Sequence, residues 1–228
     1  MSDPMELIPA HGGYKKLRSF RVSLAVYDGT VIFCQRFIRP SSRTRDQMEQ
    51  AARSGVQNIA EGSLASGTSK KSELKLTNVA RASLGELIRD FEDFLRQNDL
   101  EIWDKESKGV RNMRARLAGK LPPPAHSAGS RDALSQQRRE VFDEPLCAAL
   151  QALRTARDEV CANIMLCMTH QASFLLGRQI KRLEQDFVQK GGFTERMYST
   201  RKQYRTGGVR EPEAGESERS DGSGRSDL

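Results

Sequence analysis

Residues Arg53-Ser54-Gly55-Val56-Gln57-Asn58-Ile59-Ala60-Glu61-Gly62 read as the closing turns of an α-helix with small residues on its packing face. Small side chains let neighbouring backbones approach closely, and an Asn and a Glu ahead of a Gly point to a hydrogen-bonded helix terminus. Upstream, Met48, Ala52, Val56 and Ile59 form the inner stripe of a helix over about Arg45 to Gly62. A helix with one apolar stripe has to bury it, and the flanking segments carry matching stripes.

Before it, Leu17, Phe20, Leu24, Tyr27, Val31, Cys34 and Ile38 recur at alternating steps of three and four, a heptad seam that Val26, Phe33 and Phe37 widen. Pro40 ends that helix, and Ser41 to Thr44 form the turn. After it, Gly62 to Thr68 form a Gly/Ser-rich break, and Thr68 or Ser69 caps a third helix with Glu73 near a capping-box position. Its stripe is Leu74, Thr77, Ala80, Leu84, Leu87, Phe91 and Phe94, broadened by Leu76, Val79, Ile88 and Leu95, and it frays near Gln97 to Asp99.

A short charged helix is expected around Trp103 to Leu117, then a linker or surface loop at Leu121-Pro122-Pro123-Pro124 and Ala125 to Ser130. Helix resumes near Leu134, bends at Pro145 and continues through Ala148 to Lys190. Its inner residues include Leu150, Leu153, Val160, Ile164, Cys167 or Met168, Gln171, Leu175, Leu183 and Phe187. Gly191-Gly192 stops it, and a basic helix follows over about Phe193 to Tyr204. From Thr206 onward Gly, Ser, Glu and Arg dominate, the composition of a disordered tail. No segment shows period-two alternation between hairpin turns. The expected fold is all-α: an antiparallel four-helix bundle with additional short helices. Its divisions are a flexible leader (1–13), the first three bundle helices (14–98), a variable insertion with the Pro-rich linker (99–145), a region supplying the fourth bundle helix and a short basic helix (146–205), and the tail (206–228).

The bulk composition is consistent with this. The 228 residues are 37% hydrophobic, 29% charged and only 6% aromatic, which disfavours a β-sandwich with an aromatic core. The formal net charge is +7, which points either to a polyanionic partner or to charge that serves solubility. Cys34, Cys161 and Cys167 sit in apolar helical runs, no Cys-x-x-Cys pair occurs with Cys147 or the others, and a reducing cytoplasm fits. Met1 to Gly13 lack a secretory pattern, and no apolar run was expected to span a bilayer, so neither a membrane nor secretion is expected. His11, His126 and His170 are too scattered for a metal site, and no cofactor motif is present. Ser54, Cys161 and Cys167 lack a His/Asp pattern for nucleophilic catalysis, so the chain reads as a non-enzyme.

Basic residues carry the functional signal. From 178 to 205, Arg178, Lys181, Arg182, Lys190, Arg196, Arg201, Lys202 and Arg205 face only Glu184, Asp186 and Glu195, with Tyr198 and Tyr204 interleaved. One reading is a phosphate-tracking surface with base stacking, and the other is a solvated face with pairs such as Arg182–Asp186. Lys15, Lys16, Arg18 and Arg21 open the first helix, and Lys70, Lys71 and Lys75 open the third, where cations oppose the helix dipole. Arg53, Ser54, Asn58 and Glu61 read as a structural polar network rather than a ligand site, with Glu61 paired to a cation or to backbone N–H groups.

Three runs carry a resemblance. Tyr14-Lys15-Lys16-Leu17, Ser54 with Asn58-Ile59-Ala60-Glu61-Gly62, and Ala82-Ser83-Leu84-Gly85-Glu86-Leu87 resemble the four-helix bundle proteins of the 23S rRNA intervening-sequence family. The accessory variability protein of diversity-generating retroelements belongs to the same group. The likeness covers about 14–98. Ala162-Asn163-Ile164 to Arg205, through Gln171, Leu175-Leu176, Arg178-Gln179, Gly191-Gly192-Phe193 and Glu195-Arg196, is similar to a suffix region of a longer subgroup. The fourth bundle helix then comes from the suffix, after a long insertion that short members lack. The resemblance implies a homo-oligomer, a barrel-like pentamer, with basic surfaces that bind structured RNA, other nucleic acid, or a nucleic-acid enzyme such as a reverse transcriptase. The alternative is an oligomeric protein-interaction scaffold with no nucleic-acid role.

Overall fold

The computed structural model describes residues 8, 10–122 and 140–207. Most of the leader, Pro123, Pro124 and His126, the helix restart near Leu134 and the tail from 208 lie outside the described residues. Among the described residues every regular element is helical. A 3-10 turn at Tyr14–Lys16 leads into α1 (Arg18–Phe37), α2 (Arg43–Ala65), α3 (Lys70–Gln97), α4 (Lys108–Leu117), α5 (Glu144–Thr155), α6 (Asp158–Lys190) and α7 (Phe193–Gly207). Helix α1 packs on α2 and α6, and α3 packs on the same two, while α5 lies on α1 and α6 and α4 on α5 and α6.

The side of α1 that enters the core differs from the heptad expectation. Leu17, Phe20, Leu24, Tyr27, Val31 and Ile38 are only half-buried. The buried face is Ser19, Val22, Ser23, Val26, Gly29, Thr30 and Phe33, with Ala25, Ile32 and Cys34. Size explains the rotation. A Cβ on Gly29 would lie 2.6 Å from Met165 Sδ and 2.9 Å from Leu153 Cδ1, so α1 approaches its neighbours along its smallest residues. The Thr30 hydroxyl enters the core by donating to Val26 O at 2.8 Å, which satisfies its polar atom within the helix. At the far end of this face the Phe33 ring meets Phe91 and Phe94 edge-on, with centroids 5.0 and 4.8 Å apart.

The α2 stripe Met48, Ala52, Val56 and Ile59 is buried as expected. Gly62 is not the helix terminus, because α2 continues to Ala65. Gly62 serves close approach instead: a Cβ there would lie 3.3 Å from Glu73 O and 3.3 Å from Leu76 Cβ, and one on Gly55 would lie 3.0 Å from Leu84 Cδ2. The pairs 55–84 and 62–73 make α2 and α3 run in opposite directions. Ser69 caps α3 by accepting from Ser72 N at 3.1 Å. Glu73, one residue past the capping-box position that Ser72 occupies, turns its carboxylate to Lys70 at 2.9 Å. Of the α3 stripe, Thr77, Ala80, Leu84, Leu87 and Phe91 are buried, with Leu95 beside them. Leu74 and Phe94 are half-buried, and Val79 is exposed.

Two breaks divide what the sequence pattern joins. Pro145 opens a helix rather than bending one: it lies in the first turn of α5, where Asp143 Oδ1 accepts from Leu146 N at 3.3 Å. The chain breaks again at Ala156 and Arg157, both extended, with no Pro or Gly to announce it. The last carbonyls of α5 are met from outside the helix. Arg36 donates to Leu153 O, and the Cys161 thiol lies 3.3 Å from Leu153 O and 3.4 Å from Ala156 O. Asp158 and Glu159 then start α6, where acidic residues suit the helix dipole.

Helix α6 is buried on every side from Cys161 to Thr169. Contrary to the expectation that no segment qualifies, the run of α6 and α7 from Asp158 to Arg205 holds a helical window apolar enough by composition to cross a membrane, although 61% of that window is buried within the protein. The inner stripe ends near Ile180: Leu183 is half-buried, and Phe187, expected inside, is 38% exposed beside Val188 at 83%.

Candidate nucleic-acid interface

Three contacts join sequence-distant segments. The Ser19 hydroxyl donates to Gln179 Oε1 at 2.6 Å, setting the start of α1 against the second half of α6. Gly12 N donates to Ser63 O at 3.1 Å, setting the lead-in to α1 against the end of α2, from which a short turn enters α3. A Cβ on Gly177 would lie 3.6 Å from Arg81 Cζ, so the α3 guanidinium lies over bare α6 backbone. Exposed Lys15 and Lys16 lie just before α1, Lys71 and Arg81 on α3, and Arg178, Lys181 and Arg182 on α6, the helix that packs on both α1 and α3. Leu176 and Ile180 turn inward, which leaves 178, 181 and 182 on the outer side of α6. Arg182 reaches Asp186 only at 3.9 Å while largely exposed, a pair too weak to hold it.

Other expected contact residues are engaged elsewhere. Arg18 pairs with Asp143 and donates to Leu117 O at 3.0 Å, tying α1 to the end of α4 and the start of α5. Lys70 is held by Glu73. On α7, Arg201, Lys202 and Arg205 are exposed with Tyr198 and Tyr204, whereas Arg196 is half-buried, and its Nε and one Nη have no hydrogen-bond partner among the described residues. Gly191, at φ 65°, makes the turn between α6 and α7, and Gly192 N donates to Glu195 Oε2 at 2.8 Å.

The expected polar network is half present. Ser54 and Ser83 share a 3.0 Å hydrogen bond, and Asn58 Nδ2 donates to Ser54 O at 2.9 Å and to Ser54 Oγ at 3.1 Å. Arg53 and Glu61 are exposed and take no part in it. Because α2 runs on past Gly62, Glu61 sits on a solvent-facing turn, and its expected cation or backbone partner is not found among the described residues.

Sequence reasoning missed Arg81, Arg36 and Asn163. Asn163 Oδ1 accepts from Trp103 N and its Nδ2 donates to Glu101 O, both at 2.9 Å, which pins the segment after α3 to α6. A lone Asn inside an apolar run was the available signal. Burial pushes the Cys34 thiol up to about 12 and that of Cys167 to about 11, and burial also raises Cys161 against the opposing pull of Arg36. These three therefore stay protonated at neutral pH and are poor nucleophiles. His170 is exposed. Among the described residues no group of three or more His, Cys, Asp or Glu is arranged to hold a metal ion.

Comparison of the chain with protein-family models, curated proteins and solved structures gives no match.

Proposed function

We propose that the protein is a non-catalytic helical-bundle protein that binds structured RNA through the basic residues of the α1 lead-in, α3 and α6. In this reading α1, α2, α3 and α6 make an antiparallel four-helix bundle of the 23S rRNA intervening-sequence type, and copies of the chain associate. The reading rests on the exposure of Lys15, Lys16, Lys71, Arg81, Arg178, Lys181 and Arg182 on segments linked by the Ser19–Gln179, Gly12–Ser63 and Arg81–Gly177 contacts, since cations scattered over the whole surface would favour solubility alone. The ring of contacts from α1 to α2, α2 to α3, α3 to α6 and α6 back to α1 supports the bundle. The exposed rings of Tyr198 and Tyr204 on α7 suit stacking on unpaired bases.

Phosphate contacts release counterions, so affinity falls log-linearly with salt. RNA binding measured across a salt series, with particle mass from light scattering, tests the proposal. Replacing Arg178, Lys181, Arg182 and Arg201 together by Glu abolishes binding and leaves the melting temperature unchanged. A variant that binds RNA like the parent overturns the assigned surface. A multi-subunit particle that ignores RNA at moderate salt favours the protein-scaffold reading, with a nucleic-acid enzyme as one partner to test.

A further inference from the structure

A cavity of about 700 Å³ opens between α4, α5 and α6. That volume lies within the range of small-molecule sites, roughly 300–1,000 Å³. Its origin is legible in α5 and the residue that ends it, where Ala148, Ala152 and Ala156 recur every four residues and place methyl groups where larger side chains would close the space. Trp103, Met113, Val160 and Ile164 are the larger side chains among the rest of the apolar wall. The charge of its lining is uneven. Arg116 and Lys120 come from the end of α4 and just beyond, with Glu144 as the one acidic lining residue among the described residues. Arg116 Nε donates to Pro122 O at 3.2 Å, which fixes the guanidinium and leaves its terminal N–H groups for another acceptor.

We propose that this cavity binds an amphiphilic carboxylate, its alkyl or aryl body against Trp103, Met113 and Ile164 and its carboxylate between Arg116 and Lys120. The apolar wall provides affinity by burial, and the two cations select the head group. A long-chain alcohol fits the same wall but leaves the cations unused. An alkylammonium meets them as like charges.

Trp103 is the only tryptophan in the chain, so its emission reports the cavity directly. The test titrates the full-length protein with dodecanoate below its micelle concentration, beside dodecanol and dodecyltrimethylammonium. The expected result is a saturable change in Trp103 emission with dodecanoate and binding at least about ten-fold weaker for the other two. Ala152→Phe fills the cavity and abolishes the change. Lys120→Gln, at an exposed position that leaves the fold intact, weakens dodecanoate and leaves dodecanol unchanged. No saturable change with the parent protein, or an equal response to all three amphiphiles, overturns the proposal. So does a folded Ala152→Phe variant that still responds.

Discussion

Ser19 Oγ donates a 2.6 Å hydrogen bond to Gln179 Oε1, joining the first turn of α1 to α6 across 160 positions of sequence. Ser19 is buried and Gln179 half-buried, so the bond is shielded on one side only. Ser19→Ala is expected to cost about 1 kcal/mol by denaturant unfolding. A double-mutant cycle with Gln179→Ala is expected to give a coupling of about 0.5 kcal/mol or more. Additive effects of the two substitutions would mean that the tether does not hold α1 to α6.

The orientation of α1 gives a sharper test. Val26 is fully buried, while Val31 is half-buried at the edge of a cleft that also contains Arg36 and Arg154. Val26→Asp puts an unpaired carboxylate into the core and is expected to cost more than about 3 kcal/mol. Val31→Asp places the same group at a half-buried cleft edge lined by Arg36 and Arg154 as well as Asp28, at a cost under about 1 kcal/mol. Melting temperatures in the opposite order would restore the heptad seam as the inner face.

Asp90 supplies a pH dependence. Burial raises its carboxyl above the ordinary aspartate range, the like charges of Asp93 and Glu86 push it the same way, and Arg89 opposes them. A carboxyl with a raised native pKa binds its proton more tightly in the folded state. Its charge therefore disfavours folding at neutral pH, and this penalty disappears as pH falls through the native pKa. Asp90→Asn is expected to melt higher than the parent at about pH 7, with the gap closing toward about pH 4. A constant gap across that interval would show that the substitution acts through packing and not through the charge.

How far the sequence speaks depends on the size of the residue that meets the neighbour. In α2 the buried residues Met48, Val56 and Ile59 are also the large apolar ones, and periodicity finds them. In α1 the neighbours come close enough to need Ser19, Ser23 and Gly29 at the contact, so hydrophobicity marks the flank and misses the centre. The break at Ala156–Arg157 carries no Pro or Gly, and its carbonyls are met by Arg36 and Cys161, which are distant in sequence. Charge was legible as composition, but the roles were not. Arg18 and Lys70 turn inward to Asp143 and Glu73, while Arg81, unremarkable on α3, gains its place from the bare backbone of Gly177.

The helices packed on α6, namely α1, α3, α4 and α5, all precede it in the chain. During synthesis α1, α2 and α3 leave the ribosome first, with the apolar trough that α6 later fills still open to water. A chain stopped before Asp158 carries that trough permanently. A chain whose early helices fail to assemble presents a segment that hydropathy alone does not distinguish from a membrane span. The order of translation thus makes the arrival of α6 the step at which the apolar faces of α1 and α3 are covered.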